Sequence, residues 1–145
     1  MAVTVSFYNH FLEILGDGNL DMDNDTFKVA LMDTNHAFVA ANTQWSQVSA
    51  NEIAGANGYT AGGQALANVV WSQTGGTVKF DFDDPLWTAS GGDIETAYSA
   101  VIYDDTHAND LLICSIDFGE AKATEDGADL TLKVNVAGLF TIAVV

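Results

Sequence analysis

From Gln64 onward, residues 64–72, 77–83, 94–104, 111–118, 128–135 and 139–144 read as strands separated by turn signals, with no helical periodicity among them. Gly75-Gly76 marks a hairpin between the first two, and Asp104-Asp105-Thr106-His107-Ala108-Asn109 is a turn cluster further on. Phe80 and Phe82 face one way while Asp81 and Asp83 face the other, as in a half-solvated antiparallel strand. Regularly spaced strands without intervening helices argue for an antiparallel sandwich or barrel.

Upstream, residues 4–15 carry the one helical pattern. Phe7, Phe11 and Ile14, with Tyr8, Leu12 and Leu15, recur at three- and four-residue spacing. Thr4 or Ser6 can cap this helix, and Gly16 and Gly18 end it. In the segment 26–33, Phe27, Val29 and Leu31 alternate with Lys28, Ala30 and Met32; both sides are fairly apolar, as in an inner strand covered on two faces. Residues 34–57 are the least regular, with a short helix expected near Trp45–Ile53 inside a long loop of the kind that often serves function. The expected fold is therefore all-β: an antiparallel β-sandwich with one short N-terminal α-helix. It forms one domain over residues 1–145, with the helix at about 4–15 and strands from about 26 onward.

Fifteen Asp and five Glu stand against Lys28, Lys79, Lys122 and Lys133, with no Arg, for a net charge of -16. Such a chain repels phosphate backbones and anionic membrane surfaces, so neither nucleic acid nor membrane is expected as a partner. Charged residues make up only 17%, so the surface leans on Thr, Ser, Asn, Gln and Gly, which suits a protein packed against others. Cys114, the single cysteine, lies in the apolar run Leu111-Leu112-Ile113-Cys114 and is expected to be a buried thiol. No segment has the length and apolarity of a membrane span, and the N-terminus lacks the layout of a signal peptide, so folding in a cytoplasm is expected.

No constellation of reactive residues assembles. Asp21-Met22-Asp23-Asn24-Asp25 has the alternate carboxylates of a calcium loop, but Thr26 and Met32 stand where that loop needs glycine and a bidentate glutamate. Asp81, Asp83 and Asp84 read as a solvated edge, and Asp104 and Asp105 as a solvated turn. His10, His36 and His107 have no second ligand at zinc spacing, and no nucleophile elbow exists. No catalytic, cofactor-binding or metal-binding residue is nominated, and no enzymatic activity or cofactor is expected. Trp45, Trp71 and Trp87 leave open a sugar-binding platform, although such residues are more often core or interface anchors.

Six segments in register resemble a family of small virion structural proteins of tailed bacteriophages. They are Asp25–Met32, Val48–Ile53, Gly58–Asn68, Phe80–Trp87, Tyr98–Asp105 and Ile116–Gly119, and they span nearly the whole chain. The chain departs from that pattern in the 34–47 loop and at Ile94-Glu95-Thr96-Ala97. The resemblance implies a capsid decoration (cement) protein that stabilises the head shell by protein–protein contact. Its partners would be the major capsid protein or other virion proteins, and its state a homo-oligomer, with a trimer expected. The family also includes tail-associated components, so a tube, baseplate or fibre role stays open beside a host-glycan adsorption module. The Phe7/Phe11 helix face and the 34–57 loop are the expected contact surfaces.

Overall fold

A computed structural model describes residues 2–145. The chain is built of antiparallel sheets. β1 (Thr4–Phe7) precedes α1 (Phe11–Gly16) and β2 (Phe27–Met32). After a long loop come β3 (Gln64–Ala65), β4 (Val70–Thr74), β5 (Thr77–Asp81) and β6 (Leu86–Thr88). The long strands β7 (Ile94–Asp104) and β8 (Leu111–Thr124) follow, then β9 (Asp129–Thr131) and β10 (Phe140–Ala143). A five-stranded sheet in the order β1-β8-β7-β2-β3 packs against a three-stranded sheet, β10-β5-β4, and a two-stranded ribbon, β6-β9.

The N-terminal helix is shorter than the periodicity predicts. Thr4–Phe7 is an edge strand paired with Asp117–Cys114 of β8, and helix begins only at Phe11, with His10 at its N-cap and no side-chain cap. Neither Thr4 nor Ser6 caps anything. β-branched Thr4 and Val5 suit a strand, and pairing along β8 outweighs one turn of marginal helix. Phe11 and Ile14 alone of the predicted stripe are buried within the helix, while Leu12 is 64% exposed.

The strand 64–72 is in fact two strands, because Asn68 adopts φ 51° and donates its side-chain amide to Asp83. Residues 128–135 supply only β9, whereas β8 runs on to Thr124. Gly75-Gly76 does close a hairpin, with Thr74 opposite Thr77. Phe80 and Phe82 are buried, with Asp81 half-buried and Asp83 exposed.

β2 is covered on two faces. Phe27, Val29 and Leu31 enter the core between the sheets; Ala30 and Met32 enter a second cluster on the outer face with Tyr8, Val48, Val101, Tyr103 and Leu112. The lid of that outer cluster is the 34–57 loop. It carries two 3-10 turns, Trp45–Gln47 and Ser49–Asn51, in place of one short helix. Trp45 stacks on Tyr103 with ring centroids 4.6 Å apart and planes 11° from parallel. Bridges Met32↔Glu52 and Gln44↔Leu111 stitch the loop to the sheet.

Candidate functional site

An aromatic groove forms where the chain turns from β1 into α1. Tyr8 N–H donates to the Ile113 carbonyl (3.2 Å), Phe11 N–H to the Tyr8 carbonyl (3.1 Å), and His10 Nε2 to the Leu112 carbonyl (2.7 Å). These bonds pin the turn to β8 and leave Phe7 and Phe11 stacked, with centroids 5.2 Å apart. Phe140 meets both rings edge-on, at 4.8 Å and 5.5 Å. The groove holds about 510 Å³ between this turn and β10, and all four β10 residues line it.

β10 is the terminal strand of its sheet, so one of its edges has no strand partner among the described residues. Phe7 is 37% exposed and Leu12 more so. A free strand edge beside an apolar trough has the features used when an extended segment adds to a sheet: main-chain bonds along the edge, and side chains in the trough. Of the two contact surfaces expected from sequence, the Phe7/Phe11 face is open only in part: Phe7 is exposed at the end of β1, whereas Phe11 is buried in α1, and the two lie on a strand–helix turn and not on one helix face. The 34–57 loop instead turns Trp45, Val48 and Ile53 onto the sheet, leaving Phe38 and Val39 as its exposed large apolar residues.

A second recess, of about 230 Å³, gathers His36, Ser99, Ser115 and Asp117. His36 Nε2 lies 3.4 Å from Ser115 Oγ, a contact between residues 79 apart that no local pattern could reveal. A nucleophilic serine needs a base held by a third group and N–H donors for an oxyanion. His36 Nδ1 is buried without a partner, Asp33 spends both oxygens on Asn35, and Asp117 Oδ1 accepts the Gly119 N–H. Ser115 sits mid-strand, paired with Ser6 on one side and Val101 on the other, so the ladders engage the backbone around it. The recess supplies a proton acceptor and neither of the other parts.

Burial lowers the His36 pKa below its ordinary 6.5, partly opposed by Asp33. The folded state therefore binds fewer protons than the unfolded one, so this histidine's contribution is intact above about pH 6.5 and is lost as pH falls towards the folded pKa. Wild type should lose stability relative to His36→Gln between pH 7.5 and pH 5, by at most about 1.4 kcal/mol per pH unit, in parallel urea titrations. Parallel pH profiles for the two proteins would contradict it.

The acidic turns serve the backbone. Asp21 accepts the N–H groups of Asp23 and Asn24 and the Asn24 amide, which lower its pKa, and Asp25 accepts the Asp21 N–H. Asp81 pairs with Lys79 (3.1 Å), Asp83 accepts Asn68, and Asp84 accepts the Val134 N–H (2.7 Å). Asp104 departs from expectation: it is fully buried at the end of β7, because its ladder position opposite Phe27 and Leu111 faces inward. Its Oδ1 accepts the Thr106 N–H, its Oδ2 has no partner, and burial raises its pKa. No group of three or more His, Cys, Asp or Glu side chains is placed to hold a metal ion among the described residues. Cys114 is fully buried, and burial pushes its thiol up to about 12. Trp87 is core, Trp71 packs on Phe80 and Phe140, and Trp45 lies on the outer face, so the three tryptophans form no common platform. No helix among the described residues is long and apolar enough to cross a membrane. The chain matches no protein-family model, no curated protein and no solved structure.

Proposed function

We propose that this chain is a non-enzymatic structural protein of a tailed-bacteriophage virion, a capsid decoration protein that docks on the head shell, as a trimer, through the β10 groove. The observation that carries the reading is the aromatic trough lying along an unpartnered strand edge; the six-segment resemblance supplies the virion context. An extended apolar segment of a neighbouring coat subunit would pair with β10 and pack on Phe7, Leu12 and Phe140. With a net charge of -16, the chain favours a segment flanked by basic residues, which would also speed association.

Leu12→Glu tests this, because the side chain is exposed and the change should alter stability by no more than about 0.5 kcal/mol. The variant is expected to stay folded and to bind capsids stripped of the wild-type protein at least tenfold more weakly. Undiminished binding of the variant, or no binding by wild type, would refute the head-docking reading. Cryo-electron microscopy of the intact particle separates head from tail placement, since a decoration protein covers the shell and a tail component does not.

A further inference from the structure

A third cavity, of about 290 Å³, lies between the five-stranded sheet and the β6-β9 ribbon, near the lower end of the roughly 300–1,000 Å³ typical of ligand pockets. Its floor is core: Leu31, Ile116 and Trp87. Its sides are Leu130, Leu132 and Val134, apolar residues that stay only half-buried. Two of the chain's four lysines, Lys122 and Lys133, also line it. Lys28 pairs with Asp105, Lys79 with Asp81 and Lys122 with Glu120; Lys133 has no ion pair among the described residues. Glu120 pairs with Lys122, and Asp84 accepts the Val134 N–H. In so acidic a chain, a lysine without an ion pair among the residues that line an apolar cavity is a local exception that favours negative charge there.

We propose that this cavity binds an amphipathic monoanion, with an unbranched apolar tail against Leu130, Leu132 and Trp87 and an anionic head at Lys133. The tail gains by leaving water, and the head gains a charge-assisted hydrogen bond at the exposed lysine. The site is separate from the β10 groove.

Calorimetric titration of the full chain with decanoate, decan-1-ol and decylammonium tests it. Decanoate should bind at least tenfold more tightly than the alcohol, and the ammonium more weakly than either. Lys133→Glu should cut decanoate affinity at least tenfold, Lys133→Arg should preserve it, and Leu132→Trp should abolish it by filling the cavity. Lys133 is exposed, so its variants remain informative should Leu132→Trp not fold. Equal affinity for decanoate and decanol, an unchanged Lys133→Glu, or no uptake of decanoate at millimolar concentration would overturn the proposal. Loss of capsid binding by folded Leu132→Trp, with no decanoate uptake by wild type, would overturn it in favour of a protein side chain as the occupant.

Discussion

Gly63→Ala is expected to lower the unfolding free energy by about 3–5 kcal/mol, among the largest effects a single methyl group can have. Gly63 adopts φ +76°, where an alanine alone costs about 1–2 kcal/mol. The larger part is steric. A Cβ at this position would stand 2.0 Å from the Val29 carbonyl oxygen, 2.6 Å from its carbon and 2.8 Å from the Ala30 Cα. These are backbone atoms of β2, which is paired on its other edge with β7 through all six of its residues, so the strand has no room to retreat. Gly62→Ala is the control: its φ is +89°, but the nearest atom to its Cβ would be the Tyr103 hydroxyl oxygen at 3.6 Å. It should lose only the conformational part, about 1–2 kcal/mol. Urea unfolding followed by tryptophan fluorescence measures both, and equal losses would show that the close approach to β2 carries no energy.

Gly62-Gly63 stands in the sequence directly before the strand pattern that begins at Gln64, but nothing local identifies the strand it approaches. What local pattern records is which residues like a pleated surface: the 94–104 strand and the Gly75-Gly76 hairpin stand where alternation and turn chemistry place them. The apolar content of both faces of β2 likewise anticipated its two-sided burial. Local pattern fails where a long-range partner decides. Residues 4–7 satisfy helical spacing, yet β8 offers them a strand edge, and tertiary pairing wins. Asp104 resembles its neighbour Asp105 in every local respect, yet the inward pleat of β7 buries Asp104 while Asp105 stays half-buried and pairs with Lys28. The candidate site was half legible for the same reason. Phe7 and Phe11 announce an aromatic face, but Phe140, which closes the groove, lies at the far end of the chain. The meeting of His36 with Ser115 and the placement of Lys133 on one cavity with Leu31, Trp87 and Ile116 had no local signal at all.

Phe80→Ala should cost about 3–5 kcal/mol, through lost transfer energy and the cavity left behind. Phe80 is fully buried at the centre of an aromatic cluster, with ring centroids 5.3 Å from Phe140, 5.5 Å from Phe27, 5.6 Å from Phe82 and 6.5 Å from Trp71. It thus joins the two sheets against Phe27, as Phe140 of its own sheet does against Phe7. It also stands opposite Phe140 in the β5–β10 ladder, and its carbonyl accepts the Leu139 N–H. Truncation should therefore have a local consequence beyond the global one. β10 is a four-residue edge strand held on one side only, so losing the ring beneath Phe140 should speed amide exchange of Phe140–Ala143 more than that of β7 or β8. Phe80→Leu keeps much of the apolar volume and should lose less than Phe80→Ala on both measures. If exchange in β10 rises no more than in the central strands, Phe80 is a generic core residue. A selective rise would make it the anchor of the groove wall, and the same variant should then bind its virion partner more weakly at temperatures where it is still fully folded.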